Sequence, residues 1–447
     1  MMAGIAPPVV VLPGILGSEL SLDGNAVWPD WRDLVTRPHV MHPQDPDGQR
    51  LVPTAVVEKV VIVPGIIEMA GYGGLLTFLE SLGYRRGLSL FPFPYDWRQD
   101  NRTSAALLAR RIEEWQAIVG PDVKFTLIGH SLGGLVARYY VQCLGGDAHV
   151  DHVITFGTPH HGAPQAFQTF IQGASIPVIG AFMTDFINQV LRACGSTYQI
   201  LPWDSFVVDP AGQQLDIYAD RAWLPQQFQA RLDLAQQFQQ ELAGPFPVPM
   251  TCWVGYGQPT LLRVEARPSG LDPWRNLTFT PDRVGGDVSV PEPSAILAGM
   301  EDMVHFVSEE HGSMFVHPDA QRWLRHALTG PRAKGLEPGA GVGARPTATI
   351  QAALDQRIYA PGAAIQARAR LAGDAGRPVP EARLIAYVGD EAGRAVVLEP
   401  DRAEAGAYTA QLAAPATPGN YTLTVAVMEP AVASASRRTT YFVVASQ

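Results

Sequence analysis

VKFTLIGHSLGGLVARYY, residues 123–140, sets a G-x-S-x-G pentapeptide between an apolar run of strand character and one of helical character. A serine hydroxyl is a weak nucleophile, and a strained strand-to-helix turn that lifts it to where a base can reach is the signature of a nucleophile elbow. Gly129 and Gly133 supply the room, since a side chain at either would collide with the neighbouring strand or the following helix. With 43 glycines in 447 residues the pentapeptide alone is a weak signal, and the strand and helix around it give it weight. The bland alternative is a serine in a glycine turn of an unrelated α/β fold.

Upstream, VVVLPGILG (9–17) is a continuous β-branched run ending in a glycine turn, as suits a parallel strand covered on both faces. VVIVPG at 60–65 echoes it. GLLTFLESLG (74–83) has helical spacing and a glycine stop, LSLFPFPYDW (88–97) is strand-like, and SAALLARRIEEWQAIVG (104–120) is an amphipathic helix opened by Ser104 or Thr103. Downstream, HVITFGTPHHG, PVPMTCWVGYG and MVHFVSEEHGSM supply further strands, and DAQRWLRHAL a closing helix. Strands alternating with helices imply an α/β fold, a mostly parallel sheet covered on both sides.

Two segments interrupt this alternation. Residues 18–60 carry Trp28, Trp31 and several prolines with little periodicity, as in a capping subdomain or an ordered loop. Residues 163–200 hold more large apolar groups than an ordinary loop, Phe182 and Phe186 among them. A lid over an acyl pocket explains them, and core helices of the same domain are the alternative. Trp28, Trp31, Phe182 and Phe186 are therefore candidate substrate contacts.

Composition changes near Gly330, where GPRAKGLEPGAGVGARP forms a glycine and proline linker. Beyond it, apolar and polar residues alternate in short runs separated by turn residues, the pattern of an antiparallel sandwich of about seven strands. That part contains no histidine or cysteine, so chemistry is not expected there. The expected organisation is an α/β-hydrolase domain over 1–330, a linker over 331–346 and an immunoglobulin-like or macroglobulin-like β-sandwich over 347–447.

A chain that is 47% hydrophobic and 17% charged, with net charge −10, reads as globular, with no electrostatic draw toward nucleic acid or anionic lipid. No stretch is long enough to span a bilayer, and MMAGIAPPVVVLPG lacks a basic leader. A cytoplasmic protein is the expectation, with export by a leaderless route the alternative. Three cysteines cannot make a disulfide framework, although Cys194 and Cys252 leave room for one bridge.

A serine hydrolase needs a base and an orienting carboxylate, and on this fold their order is serine, acid, histidine. GGDVSVP offers Asp287 as the acid and SEEHGSM offers His311 as the base, both in loops. Asp282 and Asp302 compete for the acid role. His305 competes for the base role but sits in the apolar run MVHFV, where packing is expected. The oxyanion needs two N–H donors, one from Leu132 after the serine and one from a loop after an early strand, where Ile15 and Ile66 are rivals and strand order favours Ile15. Adjacent His160 and His161 lack carboxylate neighbours at ligand spacing, so neither metal nor cofactor is expected. Tyr95, Asp96, Trp97 and Arg98 fit either a substrate contact or a buried corner in which Asp and Arg hold loop backbone, the second being favoured.

Together VVVLPGILGSEL, WPDW, PYDWR, GHSLGG, FGTPHHG, GDVSVP and EHGSM, spread over residues 9 to 315, resemble the lecithin:cholesterol acyltransferase family, which includes lysosomal phospholipase A2 and bacterial lipase-like members. The resemblance implies Ser131, Asp287 and His311 as a triad, Ile15 and Leu132 at the oxyanion positions, and a cap and lid near the site. A lipid ester is the expected substrate, and the apolar lid with the Trp28 and Trp31 region is expected to meet it at a membrane or micelle surface. Cysteine bridges of the family are not evident, and the basic features of lipoprotein-binding members are weak. The expected activity is hydrolysis of lipid carboxylic esters through an acyl-serine. Acyl transfer to an alcohol is the alternative, and a binding protein with a silent hydrolase fold is the reading from another class.

Overall fold

The computed structural model describes residues 7–29, 38–43, 51–63, 67–172, 190–203, 206–209, 213–266, 277–279, 282–300, 303–329, 348–355, 358–373, 382–388, 395–402, 405–416, 419–427 and 437–444. Trp31, Ile66, Phe182, Phe186, Asp302 and the linker fall outside these residues.

The first apolar run forms β1 (Val9–Leu12), and its four residues are all buried. Val10 and Leu12 join one hydrophobic cluster while Val9 and Val11 join another on the opposite face, which is why the run has no polar alternation. Five further strands complete a six-stranded sheet: β2 (Leu90–Pro92), β3 (Phe125–His130), β4 (Val150–Phe156), β5 (Met250–Gly255) and β6 (Val304–Val307). Their spatial order is β6-β5-β4-β3-β1-β2, and every neighbouring pair is parallel. The elbow strand β3 therefore lies at the centre, beside β1, with Leu12 opposite Gly129. This register brings the loop after β1 alongside the turn after β3.

One face of the sheet is covered by α1 (Gly73–Ser81), which contributes Leu75, Leu76 and Leu79 to the cluster around Val9, Ile128, Phe156 and Trp253. On the other face lie α2 (Asn101–Val119), through Leu108 and Ile112, and α3 (Leu132–Cys143), through Leu135 and Val136. The first ten residues of α3 are all buried, so the helix after the elbow carries no solvent face. Helix α2 begins earlier than Ser104 or Thr103. Asp100 caps it by accepting a 2.8 Å bond from the Arg102 N–H, and a carboxylate at that position also suits the positive end of the helix dipole. The closing helix, Pro318–Thr329, buries Ala320, Leu324 and Leu328 against the α1 side.

Ser18–Leu22, Asn25–Trp28 and Val52–Val56 form a three-stranded antiparallel sheet within the first insertion. The second VVIVPG is no strand of the central sheet. Lys59–Val63 pairs antiparallel with Ile67–Ala70 as a separate ribbon. Beyond residue 347, a four-stranded and a five-stranded sheet share one cluster that includes Ile365, Tyr408, Leu384 and Leu423, two strands more than the alternation suggested. Among the described residues no helix is long and apolar enough to cross a membrane.

Candidate active site

The turn between β3 and α3 places Ser131 at φ 53° and ψ −124°, a left-handed conformation that a β-substituted residue adopts only when its surroundings enforce it. The surroundings do so through close backbone packing. A Cβ at Gly129 would stand 2.6 Å from Gly134 Cα, and one at Gly133 would stand 2.4 Å from the Leu12 and Pro13 carbonyl oxygens. Both glycines thus act as their spacing indicated, one toward the following helix and one toward β1. The Ser131 N–H donates to the Phe156 carbonyl at 2.9 Å, which ties the turn to the end of β4.

Asp287 and His311, 24 residues apart, are brought together with Asp287 Oδ2 2.8 Å from His311 Nδ1. Asp287 is fully buried, and its second oxygen accepts the Ser289 and Val290 N–H groups at 3.0 and 2.7 Å. A carboxylate so held accepts the His311 Nδ1 proton, which leaves Nε2 as the basic nitrogen. A further bond from the His311 N–H to the Asp287 carbonyl, 2.9 Å, fixes the two backbones against each other. Gly157, at φ 54°, makes this contact possible. A Cβ there would lie 2.7 Å from Asp287 Oδ2 and 2.9 Å from His311 Nδ1, so the residue after β4 must be a glycine for the pair to meet.

Ser131 and His311 line one cavity of about 210 Å³, with Ile15, Val290, Ala163 and Phe170 among its walls. The lining is mostly apolar, as an acyl chain requires. Ile15 stands on the loop after β1, whose position is set by Tyr95, donating its hydroxyl to the Pro13 carbonyl at 2.7 Å. Leu132 follows Ser131 as the first residue of α3.

Among the competitors, His305 stacks on Trp253 within β6 and is packed as its apolar run suggested. Asp282 opens the strand Asp282–Gly286, ahead of Asp287. Trp28 donates its indole N–H to the Leu16 carbonyl at 2.8 Å and packs edge-on against Trp97, behind the cavity wall that Leu16 forms. Of the apolar residues after the elbow unit, Phe167 and Phe170 are buried in a cluster with Tyr198 and Leu201, and Phe170 also reaches the cavity. Arg98 forms a bidentate pair with Asp96 at 2.8 Å through each of two nitrogens and donates to the Met41 carbonyl at 3.0 Å, which is the buried corner. Cys194 and Cys252 are not joined in a disulfide. No group of three or more His, Cys, Asp or Glu is placed to hold a metal among the described residues.

Two buried imidazoles carry a consequence for stability. Burial pushes His130 down to about 3 from an ordinary 6.5, and burial with the nearby Arg138 cation holds His160 well below 6.5. Below pH 6.5 the unfolded chain binds protons that these folded groups refuse, so stability falls with pH, and the His130 contribution levels off only near pH 3. Urea midpoints are expected to drop between pH 7 and pH 5, above the range in which most carboxylates titrate. A midpoint flat across that interval would contradict the assignment.

Residues 66–233 match the family model described as Lecithin:cholesterol acyltransferase. The chain is 27% identical over 244 residues to "Lysosomal phospholipase A and acyltransferase" of Bos taurus, the alignment covering 45% of this chain and 59% of that one. It is 31% identical over 232 residues to "Lecithin-cholesterol acyltransferase-like 4" of Arabidopsis thaliana, covering 43% of this chain and 42% of that one. The chain thus spans less than two thirds of the length of either relative. Among solved structures, the mature form of Bacillus licheniformis lipase BlEst2 aligns over 73% of this chain and 94% of that one, at 14% identity and a TM-score of 0.38. The resemblance read from the motifs is borne out by the family match. The expectation of a cytoplasmic protein is not: relatives named as lysosomal overturn it.

Proposed function

We propose that this chain is a serine hydrolase of lipid carboxylic esters, with residues 1–330 as its catalytic domain and 347–447 as a β-sandwich without chemistry of its own. The observation that carries the reading is the His311–Asp287 pair opening onto the same apolar cavity as a serine held at positive φ. In this mechanism Ser131 Oγ attacks the ester carbonyl while His311 Nε2 takes its proton, and Asp287 stabilises the imidazolium that forms. The oxyanion is received by the Ile15 and Leu132 N–H groups, and His311 returns the proton to the departing alcohol. Water then attacks the acyl-serine with His311 again as base, which releases a fatty acid and restores Ser131. The relatives' names, phospholipase A and acyltransferase, support a lipid ester as substrate and an alcohol as a second acceptor. We assign the contact with lipid to a membrane or micelle surface.

The test is fatty-acid release from phosphatidylcholine vesicles, with and without a short alcohol. Free fatty acid is expected in both, and with the alcohol present a new ester formed at the expense of part of the fatty acid marks the alcohol's attack on the same acyl-serine. Vesicles left intact would remove lipids as the substrate class. The apolar cavity beside Ser131 and His311 is the proposed seat of the acyl chain. Across soluble esters of rising chain length, kcat/KM is expected to climb about fourfold per added methylene, from about 0.8 kcal/mol of burial each, until the cavity is filled. A flat series would contradict the cavity as the acyl site.

A further inference from the structure

Tyr72, at the start of α1, is buried, and its ring stacks on Phe315 with centroids 5.2 Å apart. Its hydroxyl lies 2.6 Å from the Gly14 nitrogen and 2.7 Å from His130 Nδ1, while His130 Nε2 lies 2.8 Å from the His311 carbonyl oxygen. The donors can be assigned without choice. Gly14 offers only an N–H, so the Tyr72 oxygen accepts from it, and the single phenolic proton goes to His130 Nδ1. A neutral His130 then carries its proton on Nε2, which donates to the His311 carbonyl. The chain of bonds runs one way, from the loop that bears Ile15, through the residue before the nucleophile, to the backbone of the base.

We propose that Tyr72 and His130 are positioning residues, whose hydrogen-bond chain holds the oxyanion loop and His311 in one fixed geometry about Ser131. The inference rests on the reading of Ser131 and His311 given above. Four segments far apart in sequence meet in this chain, and those of Gly14 and His311 carry groups that must be placed to within a fraction of an ångström for the transition state. Burial supports it, because it keeps His130 down at about 3 and pushes the Tyr72 phenol upward, so neither group changes charge, nor the chain its direction, at working pH. Tyr72 has no other polar partner to explain a phenol at this depth among the bonds described.

Tyr72→Phe keeps the ring on Phe315 and removes only the oxygen, leaving the Gly14 N–H and His130 Nδ1 without their shared partner. On a soluble short-chain ester, kcat is expected to fall about tenfold to a hundredfold with KM little changed. Affinity for an alkyl boronic acid, which forms an oxyanion-like adduct on the serine, is expected to fall by a similar factor, whereas affinity for a fatty alcohol stays. Unchanged kcat and boronate affinity would overturn the proposal, as would equal losses for boronate and fatty alcohol, which would mark a general collapse of the cavity. If Tyr72→Phe does not accumulate as folded protein, His130→Gln and His130→Leu carry the test. Glutamine can still donate toward the His311 carbonyl and is expected to keep more kcat than leucine, and equal values would overturn the proposal. Ser131→Ala serves as control: activity surviving there removes the reaction reading and this inference with it, whereas an inert Ser131→Ala beside a fully active Tyr72→Phe removes this inference alone.

Discussion

Ser131→Ala is expected to lower kcat for ester hydrolysis by about 10⁴-fold or more while the protein stays folded. The size follows from what is lost. Removing the hydroxyl abolishes the acyl-enzyme, so His311 and the oxyanion donors can act only on a water that nothing positions for attack. Their residual contribution keeps the variant above the uncatalysed rate, as donors and binding do in other serine enzymes. Stability is expected to change little, since an alanine Cβ occupies the same position as the serine Cβ and the Ser131 N–H bond to Phe156 is made by backbone. The strain at φ 53° is not relieved by the exchange. Measuring kcat together with the thermal midpoint checks both parts. A variant within tenfold of the wild type would place the nucleophile elsewhere.

Asp287→Asn is expected to cost about 10⁴-fold in kcat at nearly constant shape. The direction is set by the bonds around the carboxylate. One oxygen of Asp287 is committed to the Ser289 and Val290 N–H groups, so the amide oxygen of an asparagine must take that place. Its NH₂ then faces His311 Nδ1, which accepts instead of donating. The proton moves to His311 Nε2, the nitrogen that should receive the Ser131 proton, and the imidazole is held in the wrong tautomer. The loss is expected to be smaller at high pH, where hydroxide can complete the deprotonation, whereas a variant that merely disturbed the loop would be impaired equally at every pH. Loss independent of pH, or no loss, would count against Asp287 as the orienting carboxylate.

The parts of the fold that were legible are those written in short-range pattern. The elbow is visible because strand, serine and glycines lie within one segment, and β1 because a strand buried on both faces must be apolar at consecutive positions. Similar patterns mislead when pairing is decided elsewhere. Lys59–Val63 reads much like β1, yet it pairs locally with Ile67–Ala70, and its sequence holds no sign of which partner it takes. The start of α2 was misplaced because serine, threonine and aspartate are all good caps and only the backbone at Asp100 distinguishes among them. Asp287 and His311 were legible as loop residues in the right chain order. Gly157 was not marked for its role, since the groups that exclude a side chain there lie more than a hundred residues away. Tyr72 and His130 gave no signal of their relation for the same reason: the chain they form exists only once β1, β3 and the His311 loop have met. Trp28 gave no sign of its hydrogen-bond partner because an isolated tryptophan among prolines has no period to reveal one, and the structure supplies it in the Leu16 carbonyl. Location was the least legible property, because the lack of a basic leader in MMAGIAPPVVVLPG was a poor guide beside relatives named for the lysosome.

The central claim, that an acyl group passes through Ser131, is tested most directly by trapping it. A soluble p-nitrophenyl ester is mixed with the protein, the reaction is quenched in acid during the burst, and peptides are examined by mass spectrometry. The account predicts one acyl group on the peptide that contains Ser131, absent from Ser131→Ala. Turnover without that adduct, or an acyl group carried on another residue and retained in Ser131→Ala, would contradict it.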